Sequence, residues 1–287
     1  MLALALLALP LAGGCSRIDT LRLAHANSGT SADWPPGAVA VELALERTLD
    51  GRPWLPVSVD GSAPLPFLLQ GSAGAIALTG ARPAGLASGF AGRMTLSQAL
   101  LPGIQGGRLV KRRRLELGPL ALEDQGLLLV EPAEWPHGRP HGFAAGVIGY
   151  DLFRRFVVEI ELPADRLRLH RGSRGLLGLG EAQRLLVLDR RLYVEAWLEF
   201  GRGLGRWVRL EFEPAAPVGI CLDTPSRPAT VRIADFSFPV DETSCDDRAP
   251  GARGSAARDG VLGAQALESL AVGVDYRGGQ IAFRRVD

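Results

Sequence analysis

The sequence predicts an all-β chain built as two related lobes. The first reason is a segment that occurs twice. GVIGYDLFRRFVVEIELPADRLRL opens at Gly146 and GVLGAQALESLAVGVDYRGGQIAF at Gly260, aligned without a gap at an offset of 114 residues. So long a spacing exceeds solenoid periods and marks a duplicated lobe instead of an array. The second reason is texture. Short alternating apolar runs are separated by Gly, Pro and Asp, and helical periodicity is confined to brief stretches at 97–101, 150–156 and 264–270. The third is size. With 287 residues, 47% of them apolar, the chain can fill one large core or two modest ones, and the repeat favours two.

Taken in order, the chain opens with an address. Residues 2–11 form an apolar run of signal-peptide length, too short to cross a bilayer as a helix. The run ends in Leu11-Ala12-Gly13-Gly14-Cys15, which resembles a bacterial lipobox, although no Lys or Arg precedes it. That resemblance implies a signal peptide over 1–15, lipidation of Cys15 and an envelope protein facing the periplasm. Ser16 is compatible with sorting to the outer membrane. An ordinary secretory signal is the alternative, and it also takes the chain out of the cytoplasm. Residues 16–37 are polar and rich in Gly, Pro and Ser without periodicity, as expected of a tether. With Cys15 set aside, Cys221 and Cys245 remain, an even pair in an oxidising compartment. They are expected to form a disulfide in the second lobe; two free buried thiols are the alternative.

The first lobe is read over 38–171. Residues 39–45, 55–59 and 115–122 alternate, and Asp60-Gly61 between alternating flanks signals a hairpin turn. The glycine-dense stretch GSRGLLGLG places an interlobe connection at 172–181, and the second lobe follows over 182–287. A net charge of +1 gives no broad attraction to nucleic acid.

The order of elements within each lobe carries a second resemblance. In the first lobe a hairpin leads through Pro66-Phe67-Leu68-Leu69 to the small-residue turn Gln70-Gly71-Ser72-Ala73. A later apolar strand at 127–130 is followed by Gly-Val-Ile-Gly, a short helix and a closing strand. The second lobe repeats this order, with 207–212 as the strand that feeds its turn and 231–238 as the middle strands. This resembles the retropepsin-like aspartic peptidases, and the tandem copies resemble the pepsin-like arrangement. The resemblance implies a bilobal, aspartic-peptidase-like (acid protease) fold with a cleft between the lobes.

In an active member each lobe supplies an Asp, and the two carboxylates share a proton so that one acts as base and the other as acid. Here the first position reads Gln70-Gly71-Ser72 and the second Glu213-Pro214-Ala215. Gln70 does not titrate, Gly71 and Pro214 have no hydroxyl, and Pro214 also lacks an N–H. Losing acid–base assistance alone costs about 10²–10⁴ in rate. The expectation is a pseudoenzyme without cofactor or metal. Its cleft, floored by Gln70, Gly71, Ser72, Ala73, Glu213, Pro214 and Ala215, would bind an extended peptide or a segment of a partner protein. The alternative is an active aspartic-type endopeptidase using Glu213, or Asp223 of Asp223-Thr224-Pro225, in an unusual pairing. A third reading has the cleft filled by the chain's own segment 81–107.

Other motifs fail on context. Gln70-Gly71-Ser72-Ala73-Gly74 is near a nucleophile elbow, but a strand follows instead of a helix. His137 and His141 are separated by Gly138 and Pro140, which exclude a helical pair of metal ligands. The glycines of 201–205 sit in a hairpin and not between strand and helix, so they do not cradle phosphate. The basic run 111–114 reads as a solvated strand edge, with a docking patch for an acidic partner as the sharper reading.

Overall fold

The structure, a computed structural model, describes residues 30–79, 90–95, 101, 104, 106–131, 144–172, 176, 178–200, 204–223, 230–240, 245 and 258–286, with Leu23 and Asn27. Cys15, His137, His141, 201–203 and most of 81–107 lie outside these. Strands dominate. The first half supplies β1 (Ser31–Asp33), β2 (Ala40–Ala44), β3 (Glu46–Arg47), β4 (Pro53–Val59), β5 (Leu65–Leu69) and β6 (Ala77–Thr79). It continues with β7 (Phe90–Thr95), β8 (Gly106–Leu117), β9 (Leu120–Val130), β10 (Gly146–Ile148), β11 (Val157–Glu161) and β12 (Arg166–His170). The alternation seen in sequence is the burial pattern: β4 buries every second side chain and leaves the others half-exposed. Asp60 and Gly61 turn β4 into β5 with φ of 51° and 75°, the positive values that such a turn requires. Strands β9, β6, β10, β5, β4 and β8 run in that order, and β8 also pairs with β9, closing a six-stranded barrel.

The second half supplies β13 (Gln183–Leu188), β14 (Arg191–Glu199), β15 (Gly205–Glu213), β16 (Ile220–Leu222) and β17 (Thr230–Ile233). It ends with β18 (Phe236–Pro239), β19 (Gly260–Gly263), β20 (Leu270–Asp275) and β21 (Gln280–Arg285). Strands β16, β19, β15 and β14 form its own sheet, extended by β17 and β18. That sheet is continuous with a platform shared by the two halves, in the order β13-β21-β20-β11-β12-β2 and antiparallel throughout.

The repeat explains the platform. At its centre Val158 pairs with Val274, Glu159 with Gly273 and Ile160 with Val272. Glu159 and Gly273 are each other's counterparts in the repeat, so an approximate two-fold axis passes between them. Counterpart strands flank it on both sides, β11 with β20 and β12 with β21. One apolar cluster crosses the boundary, joining Leu55, Phe67, Leu69 and Phe153 to Phe212, Leu262 and Phe283. The lobes therefore share a core as well as a sheet.

Two sequence expectations need correction. The tether read over 16–37 is ordered at its described end: Ser31–Asp33 pairs with β9, and Trp34 packs edge-on against Phe156 with ring centroids 5.5 Å apart. The helical stretches are also shorter than their periodicity suggests. Helix α1 covers only Tyr150–Phe153, and its counterpart Ala264–Leu267 is a 3₁₀ turn, because the strand of the shared platform begins within a few residues of each. The glycine-dense connection is anchored where it is described, with Leu176 and Leu179 packed on Ala271 and Ala282 of the platform.

Candidate functional site

The repeat also fixes which turns face one another. Strand β10 runs parallel to β5 and pairs Ile148 with Leu69, while β19 runs parallel to β15 and pairs Leu262 with Phe212. Ile148 and Leu262 are counterparts, so Leu69 corresponds to Phe212 and Gln70 to Glu213. The turns that follow are built alike. Ala73 N–H donates to the Gln70 carbonyl at 3.1 Å, and Ala216 N–H to the Glu213 carbonyl at 2.9 Å. Tyr150 N–H then donates to the Ala73 carbonyl and Ala264 N–H to the Ala216 carbonyl, both at 2.9 Å. Glycine is required where these pieces meet: a Cβ on Gly149 would lie 1.9 Å from the Gln70 carbonyl oxygen.

The two turns meet across the lobe boundary, and their substituted residues bond to each other. The Glu213 carboxylate accepts from Gly71 N–H at 3.0 Å and Ser72 N–H at 2.8 Å, both in the opposite lobe, and from Ala215 N–H at 3.1 Å in its own. It also accepts from the Ser72 hydroxyl, which itself accepts from Gln70 Nε2 at 2.9 Å. Successive N–H groups in a turn form a small anion-binding concavity, and Glu213 is long enough to place its oxygens in the one at Gly71-Ser72. The missing side chain of Gly71 makes that approach possible: a Cβ there would lie 2.0 Å from the Phe212 carbonyl oxygen. Pro214 cannot return the arrangement, because it has no N–H to offer Gln70. The result is one carboxylate held by both turns in place of two carboxylates side by side.

Glu213 is only 8% exposed. Burial pushes its carboxyl up to about 7, aided by the nearby charge of Glu211 and opposed by the hydrogen bonds from Ser72 and Ala215. Glu211 is buried between Arg191 at 3.3 Å and Arg258 at 3.0 Å. Arg258 continues to Asp223, with its Nη2 2.9 Å from Oδ1 and its Nε 2.9 Å from Oδ2. Asp223 therefore belongs to a different place. It follows β16, whose Leu222 pairs with Gly260 as Leu78 of β6 pairs with Gly146, which makes Asp223 the counterpart of Thr79. Strand register separates it from the interlobe turn, and its carboxylate is tied to a guanidinium.

A second contact between the lobes was not anticipated from sequence. Arg190, in the turn between β13 and β14, donates to the Gly74 carbonyl at 3.0 Å and lies over the Tyr150 ring at 4.9 Å. Tyr150 meets Tyr276 edge-on at 5.5 Å, and desolvation with the Tyr150 contact pushes the Tyr276 hydroxyl up to about 12. The available signal was modest: Tyr150 directly follows the repeated Gly-Val-Ile-Gly, and Asp189-Arg190 occupies a turn. Cys221 and Cys245 form a disulfide with Cα atoms 5.1 Å apart, tying β16 to a residue 24 positions further along the chain. Among the described residues no group of three His, Cys, Asp or Glu side chains is placed to hold a metal. No helix among them is long and apolar enough to cross a membrane.

No family model matches the chain, and no curated protein matches it. Solved structures do. Basic 7S globulin from soybean superposes with a TM-score of 0.52 at 12% identity, over 85% of this chain and 94% of that one. Conglutin gamma, a basic 7S globulin from lupine seeds, gives 0.52 at 11% identity over the same shares. At such identities the likeness is one of fold alone. The fold these globulins share with this chain is that of aspartic proteases, all-β and bilobal.

Proposed function

We propose that the chain is a catalytically degenerate aspartic-peptidase-like protein of the cell envelope. It is lipid-anchored through Cys15, and it binds an extended peptide or a segment of a partner protein between its lobes. One observation carries the reading. The carboxylate at the dyad position, Glu213, is already engaged by Gly71, Ser72, Ala215 and the Ser72 hydroxyl, while its counterpart is the neutral Gln70. A water activated for hydrolysis needs one free basic carboxylate and a second group to protonate the leaving amine, and this pair supplies neither. In a fold of two β lobes, an extended segment lying between them would be held by strand-like hydrogen bonds and side-chain pockets.

The test uses the Cys15→Ser protein, so that lipid does not interfere, on peptide arrays and in pull-downs from envelope extracts. Gln70→Arg sets a bulky cation on the cleft floor and is expected to weaken any genuine ligand tenfold or more. The reading is abandoned if no ligand is found that Gln70→Arg weakens. Anchoring is tested separately: radiolabelled palmitate should enter the wild-type protein and not Cys15→Ser, and equal labelling would sink it.

A further inference from the structure

The outer face of the second-lobe sheet carries a group of side chains that neither the core nor the interlobe turns use. Register places Trp207 opposite Trp197 on β14, and Trp197 opposite Arg232 on β17, so the three stand in one line across three strands. Their chain neighbours Val208, Leu198 and Val231 point the other way and are buried. Trp207 is 67% exposed. The two indoles meet edge-on, with centroids 5.5 Å apart and planes at 73°, and so form an aromatic corner whose outer member, Trp207, is open to solvent. Gly205 makes this possible. A Cβ at that position would lie 2.6 Å from the Trp197 ring, so the glycine lets the indole lie across its strand. Gln183, Glu195, Arg232 and Ala234 complete a half-open cavity of about 400 Å³ around the indoles.

We infer that this cavity is a saccharide-binding site. The ring faces of tryptophan are electron-rich and flat, and they suit the C–H face of a pyranose while the indole N–H stays available. A carboxylate, a guanidinium and a carboxamide stand around the aromatic corner, the planar groups that exchange paired hydrogen bonds with vicinal hydroxyls. Charge narrows the class. A cationic ligand in the corner would meet Arg232 beside Trp197, and an anionic one would meet Glu195 and Glu199 on the same face. A neutral polyhydroxylated ligand satisfies both signs by hydrogen bonding. The site lies six residues along β15 from Glu213, with Val208, Leu210 and Phe212 turned the other way into the core, and it does not depend on the cleft reading.

The full chain in detergent is titrated with maltotetraose, cellotetraose and chitotetraose, following tryptophan emission, and the three are extended to a glycan array. Choline chloride and inorganic phosphate serve as charged comparisons. The expected result is saturable binding of at least one saccharide, weakened tenfold or more by Trp207→Ala and by Arg232→Ala. Both substitutions fall on exposed positions and should leave the circular dichroism spectrum unchanged, and Gln70→Arg should leave the saccharide response intact. The proposal is overturned if no saccharide binds, if binding is equal in Trp207→Ala, or if choline or phosphate alone responds.

Discussion

Replacing Glu213 with Gln removes the charge from the interlobe turn at nearly constant volume, and its effect follows from the contacts. The carboxylate oxygens serve two sets of donors. Oε1 takes Gly71 and Ala215 N–H, and Oε2 takes Ser72 N–H. An amide keeps one oxygen, so its NH₂ must face at least one of those N–H groups. Against the ionised carboxylate, the form present above about pH 7, the less costly orientation strands Ser72 N–H, a buried donor left unpaired, at about 1–3 kcal/mol. The pH dependence separates this from an ordinary packing loss. Glu213 is held at about 7 in the fold against 4.5 for a free side chain. Its folded value is the higher one, so the folded state binds the extra proton between these limits. The associated stability is full below about pH 4.5 and is lost as pH rises through about 7, a fall of about 3 kcal/mol. Glu213→Gln has no such titration, so its deficit should be greatest near pH 4.5 and shrink toward pH 8. Urea unfolding followed by tryptophan emission at four pH values gives both curves. Parallel curves across pH 4.5–8 would refute the reasoning.

Three further expectations rest on the same contacts. Gly71→Ala drives a Cβ to 2.0 Å from the Phe212 carbonyl oxygen and should cost about 3 kcal/mol in thermal unfolding, whereas Gly172→Ala, with open space around it, should change nothing. Replacing both Cys221 and Cys245 with Ser should lower stability by about 3 kcal/mol, given a separation of 24 residues; equal unfolding midpoints for the two proteins under oxidising conditions would count against it. Glu211→Gln leaves Arg191 and Arg258 short of their shared carboxylate and should destabilise by about 3–5 kcal/mol. It should also move the pH window of Glu213 downward, since the Glu211 charge helps to raise that carboxyl; an unmoved window would refute the coupling.

Much of the architecture was legible because duplication leaves a pattern that one sequence can display. The offset between Gly146 and Gly260 reappears in the structure as the axis through Glu159 and Gly273. The alternation of 55–59 reappears as the burial pattern of β4. The sharing of β2, β11 and β12 with the second half was not legible, since pairing partners distant in sequence leave no mark on local periodicity. Ser31–Asp33 was read as tether for a related reason: three residues are too few to show alternation, and their strand character comes from β9. At the site, residue types alone established that the acid–base pair was incomplete. What Glu213 does instead depends on one extra methylene and on Gly71 letting the opposite turn approach, and both are facts of tertiary distance. The alignment of Trp197 and Trp207 with Arg232 leaves no mark on the sequence, because it is a matter of register across three strands.

The most direct test of the central claim is hydrolysis itself. The Cys15→Ser protein is incubated with a complex peptide library from pH 3 to 8 and the products are sequenced by mass spectrometry, with Glu213→Gln and Asp223→Asn alongside. With Glu213 held by both turns and Gln70 unable to titrate, the expected result is an uncleaved library at every pH for all three proteins. Cleavage by the Cys15→Ser protein that disappears in Glu213→Gln or Asp223→Asn would contradict it and make the chain a working peptidase.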